Sequence, residues 1–106
     1  MAVFTQTATG AAVVAVTATP SNAAALDLVS VHLSAAGGAG DLTVTLDAAA
    51  GAVYDVVLLT QDMTAITNLL WQPDRPIELA PGDKVVVAWA NAGTKTYGIS
   101  VKWSGR

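Results

Sequence analysis

A chain of 106 residues with a net charge of −3 and no cysteine holds enough sequence for one domain with its own core, without disulfides or a structural metal. Its acidic balance and five scattered basic residues (Arg75, Lys84, Lys95, Lys102 and Arg106) exclude a nucleic-acid-binding face. The missing thiols exclude cysteine chemistry, and no apolar run approaches the roughly 20 residues of a membrane-spanning helix.

The first element expected is the N-terminal stretch, residues 1–25, which is uncharged, rich in Ala, Thr and Val, and β-prone. Left free it would be an edge-pairing hazard, so it is expected as an arm or edge strand, paired in its own sheet or on a neighbour. The opening MAVFTQTATG has neither a basic leader nor a long apolar run and does not read as a signal peptide. Residues 26–106 read as the sandwich domain.

Thr19-Pro20-Ser21-Asn22 is a turn. Val29, Val31 and Leu33 alternate with Ser30, His32 and Ser34, which marks a strand with one buried face. Leu26 and Leu28 lie on the opposite parity, and a β-bulge near Leu28 reconciles the two registers. Gly37-Gly38-Ala39-Gly40 is expected as a flexible hairpin loop. Asp41 to Asp47 (DLTVTLD) is the cleanest alternation, with Leu42, Val44 and Leu46 inward. Gly51 suits a tight hairpin. Val53 to Thr60 is apolar on both faces except at Asp55, which predicts a central strand. Asp55 must then be paired, with Arg75 or a backbone N–H.

Gln61 to Leu70 reads either as one helical turn capped by Asp62, holding Met63, Ile66 and Leu69 or Leu70, or as an irregular crossover. Leu70 to Trp103 reads as a β-hairpin with a lead-in. Its parts are an entry strand, a Pro81-Gly82 type II turn, a strand with Val85, Val87 and Trp89 inward, an Asn91-Ala92-Gly93 loop, and a closing strand with Tyr97, Ile99, Val101 and Trp103 inward. About eight strands at regular spacing predict an all-β fold: an antiparallel β-sandwich, jelly-roll-like, with a small closed barrel as the alternative.

Candidate chemistry is sparse. His32, the one histidine, sits on a polar strand face; a catalytic role requires a carboxylate within reach in a pocket. The eight acidic residues form no calcium-loop motif and mostly border turns, where Asp bonds nearby backbone. There is no glycine-rich phosphate loop and no serine elbow, so the chain is expected to be no enzyme, with no cofactor and no metal. A sugar-binding platform would need at least two of Tyr54, Trp71, Trp89 and Tyr97 exposed in one groove. Periodicity instead turns Trp89, Tyr97 and Trp103 inward, which leaves Trp71, beside Gln72-Pro73-Asp74, as the aromatic suited to a partner contact. The contact residues expected are Val3, Phe4 and Thr5 at the N-terminus, and Trp71, Gln72, Asp74 and Arg75 in the lead-in. Only 12% of residues are charged, against roughly 25% in average proteins, which fits a surface covered by neighbours.

Five segments carry a resemblance: Gly40 to Asp47 (GDLTVTLD), Gly51 to Leu58 (GAVYDVVL), Leu70 to Leu79 (LWQPDRPIEL), Pro81 to Asn91 (PGDKVVVAWAN) and Thr96 to Val101 (TYGISV). From about Leu26 to Trp103 the chain resembles small tailed-bacteriophage proteins encoded among head and tail genes. The resemblance implies a virion structural protein assembled in the host cytoplasm, most of all a capsid decoration protein. Its implied partners are the major capsid protein or other virion proteins and further copies of itself, reached in part by strand addition. A tail or fibre-associated protein is the alternative within that class, and a carbohydrate-binding module the alternative outside it.

Overall fold

The computed structural model describes residues 3–105. Nine strands form two antiparallel sheets: β1 (Val3–Gly10), β2 (Val14–Ala18), β3 (Ala24–Leu33), β4 (Asp41–Asp47), β5 (Val56–Asp62), β6 (Asn68–Trp71), β7 (Ile77–Leu79), β8 (Lys84–Trp89) and β9 (Tyr97–Gly105). Sheet I runs β1-β9-β3-β6, with β7 also paired to β3; sheet II runs β2-β8-β4-β5. β6 pairs with Val29–His32 and β7 with Ala24–Leu26, so the two share one strand position end to end. Between them lies Gln72-Pro73-Asp74-Arg75-Pro76, where prolines cannot donate to the ladder. With that position counted once, the order is that of an eight-stranded jelly roll, as the spacing of the apolar runs predicts.

The inner faces of both sheets form one core. Sheet I contributes Leu26, Val29, Val31, Leu33, Ile99, Val101 and Trp103, and sheet II contributes Val14, Val16, Leu42, Val44, Val85, Val87 and Trp89. The alternations expected in β3, β4, β8 and β9 are therefore all present. So is the bulge: Leu26 opposes Trp103 while Leu28 opposes Lys102, leaving Asp27 as the extra residue. Its carboxylate accepts a hydrogen bond from the hydroxyl of Ser104, itself buried.

Three expectations are corrected. β7, β8 and β9 lie in sheets I, II and I, so Leu70 to Trp103 contains no hairpin. Turn residues look alike whether a chain folds back onto the same sheet or crosses to the other. Gly37 to Gly40 likewise crosses from sheet I to sheet II and is packed. A Cβ on Gly37 would lie 2.3 Å from the Met63 carbonyl oxygen, and one on Gly38 would lie 2.5 Å from that of Ala92. Third, the 53–60 segment is no central strand. Ala52–Tyr54 is a 3-10 turn and β5 is the outer strand of sheet II. Leu58 is a bulge there, which turns both Leu58 and Leu59 toward the core.

Asp55 does find a backbone partner, accepting from the Ala48 N–H at 2.9 Å. Between β5 and β6 the chain makes the crossover rather than a helix. Asp62 ends β5 and accepts from the N–H and hydroxyl of Thr64, and Met63 is fully buried.

Two side chains fasten the connections. In the type II turn after β7 (Asp83 N to Ala80 O, 3.0 Å; Gly82 φ 87°), Asp83 accepts from the N–H groups of Ala80 and Ala49, both at 2.9 Å. Asn91, buried and at φ 57°, takes a left-handed conformation that Asn tolerates better than other non-glycine residues. Its Nδ2 donates to the carbonyls of Ala12 (2.8 Å) and Lys95 (3.0 Å), and its Oδ1 accepts from the Lys95 N–H (3.0 Å). It thereby ties the β8–β9 loop to the β1–β2 link. Asn91→Ala removes all three bonds and leaves the part-buried Ala12 and Lys95 backbone groups without them; urea unfolding is expected to show a loss of roughly 1 to 3 kcal/mol.

Asp62 supplies a pH dependence. The Thr64 N–H, and next its hydroxyl, hold the Asp62 carboxyl below its ordinary value of 3.8. A carboxyl lowered on folding stabilises above its unfolded value and loses that contribution as pH falls through the folded one. Stability measured from about pH 5 down to about pH 2 should therefore fall less steeply in Asp62→Asn than in the parent chain.

Candidate interaction surface

The surface is set by what alternation leaves outside. On sheet II the outer residues form two rows across the strands: Ala15, Ala88, Thr43 and Thr60, then Thr17, Val86, Thr45 and Val57. Neither row contains a charge. Charged residues stand only at the ends, where Lys84 opposes Asp47 and Asp41 opposes Asp62. Val57 in the second row is 56% exposed, and Tyr54 (61%) and Val53 (85%) are exposed on the 3-10 turn that precedes β5 in the chain. Val56 is exposed as well, opposite Leu46 on the other parity of the β4–β5 pair. Exposed apolar side chains gathered in one short segment mark an interaction site more often than single scattered ones.

The sequence does not reveal this patch. An apolar run without alternation predicts a strand buried on both faces, and the same run occurs here on an outer strand with exposed side chains. Its signal was present as the low charge of the whole chain.

The expected contact residues separate into two places. Val3, Phe4 and Thr5 are exposed at the start of β1, the outer strand of sheet I. Trp71 ends β6 on the opposite edge, and Gln72, Asp74 and Arg75 follow it, all three exposed. The groups are three strand spacings apart, roughly 14 Å, and do not make one site. Trp71 also departs from expectation: it is half-buried and packs on the core, because register places it opposite the inward Val29.

Phe4 stacks on Trp103, with ring centroids 6.0 Å apart and planes 19° from parallel. With the 19–24 loop and Gly105 they line a shallow cleft of about 340 Å³. Its described lining holds an aromatic floor and the hydroxyl and amide groups of Thr19, Ser21 and Asn22, and no titratable side chain. Such a cleft can take an apolar group and hydrogen-bond its polar margin.

Trp89, Tyr97 and Trp103 are 2%, 9% and 9% exposed, and Trp71 is half-buried, so of the four aromatics expected to build a sugar platform (Tyr54, Trp71, Trp89 and Tyr97) only Tyr54 is exposed. His32 is exposed, and its Nδ1 donates to the Asn68 amide oxygen across the β3–β6 pair. That partner is an amide, where a general base would need a carboxylate. Among the described residues no group of three or more histidines and carboxylates is placed to hold a metal ion.

No protein-family model matches the chain, and no curated protein matches it significantly.

The two surfaces respond differently to substitution. Phe4→Ala removes an aromatic stack and should cost about 1 kcal/mol in denaturant unfolding. Val57→Asp, on the open outer face, should stay within about 0.5 kcal/mol of the parent.

Proposed function

We propose that this chain is a non-enzymatic structural protein of a bacteriophage virion, a decoration subunit that binds and stabilises the capsid. The observation that carries the proposal is the uncharged outer face of sheet II, together with the exposed apolar side chains of Val53, Tyr54, Val56 and Val57. A face of small and β-branched side chains lies flat against a partner and excludes water without desolvating charge. Burial of apolar surface contributes about 25 cal/mol per Å², and many copies on one particle turn a modest contact into high avidity. The resemblance of residues 26–103 to small phage head and tail proteins supports the same reading. So does a scaffold that holds the face rigid through a continuous core. Homo-oligomers on the particle surface would cover further low-charge area.

The test is composition of purified virions from the phage that encodes the chain. Quantitative mass spectrometry should find it in many copies per particle, and immuno-electron microscopy should place it on the head. The doubly substituted Tyr54→Asp, Val57→Asp protein should fold normally yet show at least tenfold lower occupancy. Absence from the particle, a tail location, or unchanged occupancy of the folded variant would overturn the decoration assignment.

A further inference from the structure

Four strand positions have an open side in this sandwich; two carry features by which natural sheets discourage further pairing, and a third is shorter than β1. β5 is bulged at Leu58 and ends in Asp62. The β6/β7 position is split into a four-residue and a three-residue strand around Pro73 and Pro76. β2 has five residues. β1 is the exception. It has eight residues, no charge, no proline and no bulge, and it pairs with β9 without a shift from Val3 to Gly10. Every second residue of such a strand directs its N–H and C=O away from β9, toward the open side.

We infer that β1 is the seam of a two-fold homodimer, in which the β1 strands of two copies pair antiparallel and make sheet I continuous across the axis. The occupant is fixed by self-complementarity. Register with β9 turns Phe4, Gln6 and Ala8 inward, opposite Trp103, Val101 and Ile99, and turns Thr5, Thr7 and Thr9 outward. A two-fold axis perpendicular to the sheet keeps inner residues with inner and outer with outer, so only registers that preserve the two-residue period are allowed. Axes through Gln6 and through Thr7 each pair seven of the eight residues, and the axis through Gln6 is the one that gives Phe4 a side chain to cover. It sets Gln6 against Gln6 of the second copy, Phe4 against Ala8, and Thr5 against Thr7. The largest inward side chain then meets the smallest. Phe4, 46% exposed in the single chain, covers the half-buried Ala8 of the second copy. The outward Thr–Thr pairs are among those that favour antiparallel sheets.

Sheet II does not oppose this approach. The link from β1 to β2 is residues 11–13, long enough to cross the roughly 10 Å between sheets but not to traverse a sheet as well, so β2 lies on the same side of the sandwich. It too is uncharged, and Val13 beside it is 62% exposed. A foreign strand could use the backbone groups of β1, but the size match of Phe4 with Ala8 belongs to a second copy.

The inference rests on the homo-oligomer within the proposed function, yet it is tested on the purified chain alone, so the two can fail separately. Light scattering of the parent protein should show a mass rising with concentration toward twice the 10.7 kDa chain. The chain has no cysteine, so a single one reports cleanly. Under mild oxidation Gln6→Cys should form an interchain disulfide at least tenfold faster than Thr9→Cys, whose two sulfurs the proposed register holds roughly 20 Å apart. Thr7→Lys, at an exposed outward position, should raise the dimer dissociation constant at least tenfold with the circular dichroism spectrum unchanged. A strictly monomeric parent protein at millimolar concentration, or Gln6→Cys crosslinking no faster than Thr9→Cys, would overturn the seam. If Gln6→Cys does not fold, Thr7→Lys decides: an undiminished dimer overturns it too.

Discussion

The bulge at Asp27 is the constraint from which the rest of the sandwich follows. β3 is the hub of sheet I, paired with β9 along its length and with β6 and β7 on its other side. Its inward residues fall on two parities, Leu26 before the bulge and Val29, Val31 and Leu33 after it, and all four are buried. Without the extra residue one set would face water, and the core shared with sheet II would open on that side. The hydrogen bond between Ser104 and the Asp27 carboxylate gives the displaced residue a partner on β9. The rows that depend on this register, Trp103 opposite Leu26 and Val101 opposite Val29, also set where Phe4 and Gln6 of β1 stand.

Which face each strand buries was legible, because a period of two survives in Leu42-Val44, Val85-Val87-Trp89 and Tyr97-Ile99-Val101-Trp103. The bulge was legible too, as a break in that period. Which strand neighbours which was not. Pro81-Gly82 and Asn91-Ala92-Gly93 form the expected turns, with positive φ at Gly82, Asn91 and Gly93, but a turn does not state whether the chain stays in its sheet. Strand position decided the errors at β5 and Trp71. The same apolar residues serve a central strand or an outer one, and Trp71 is drawn inward only by its place opposite Val29. Val3, Phe4 and Thr5 could be read as contact residues because an uncharged β-prone segment pairs readily, in its own sheet or on a neighbour. The clamp made by Asn91 had no local signal, since its partner Ala12 is 79 residues away in sequence.

Low charge and a rigid, flat outer face are two consequences of one composition. Ala, Thr and Val fill the outer face of sheet II, and the same strands carry core residues on the inner face, so the strands that build the core also present the surface. Apart from Asp27, Glu78 and Lys102 within sheet I, the described charged residues stand at strand ends and in loops, and the outer rows of sheet II and the whole of β1 carry none. A protein that worked alone in solution would gain solubility from the opposite arrangement. The proposed partners would cover both uncharged surfaces, the outer face of sheet II and the open side of β1.

Hydrogen exchange read by mass spectrometry, on the dilute isolated chain and on the chain within the proposed particle, tests that claim most directly. The amides of β1 and of residues 53–57 are predicted to exchange far more slowly in the particle, while β3 and β9, protected in both, change little. Equal exchange at β1 and 53–57 in the two states would contradict it.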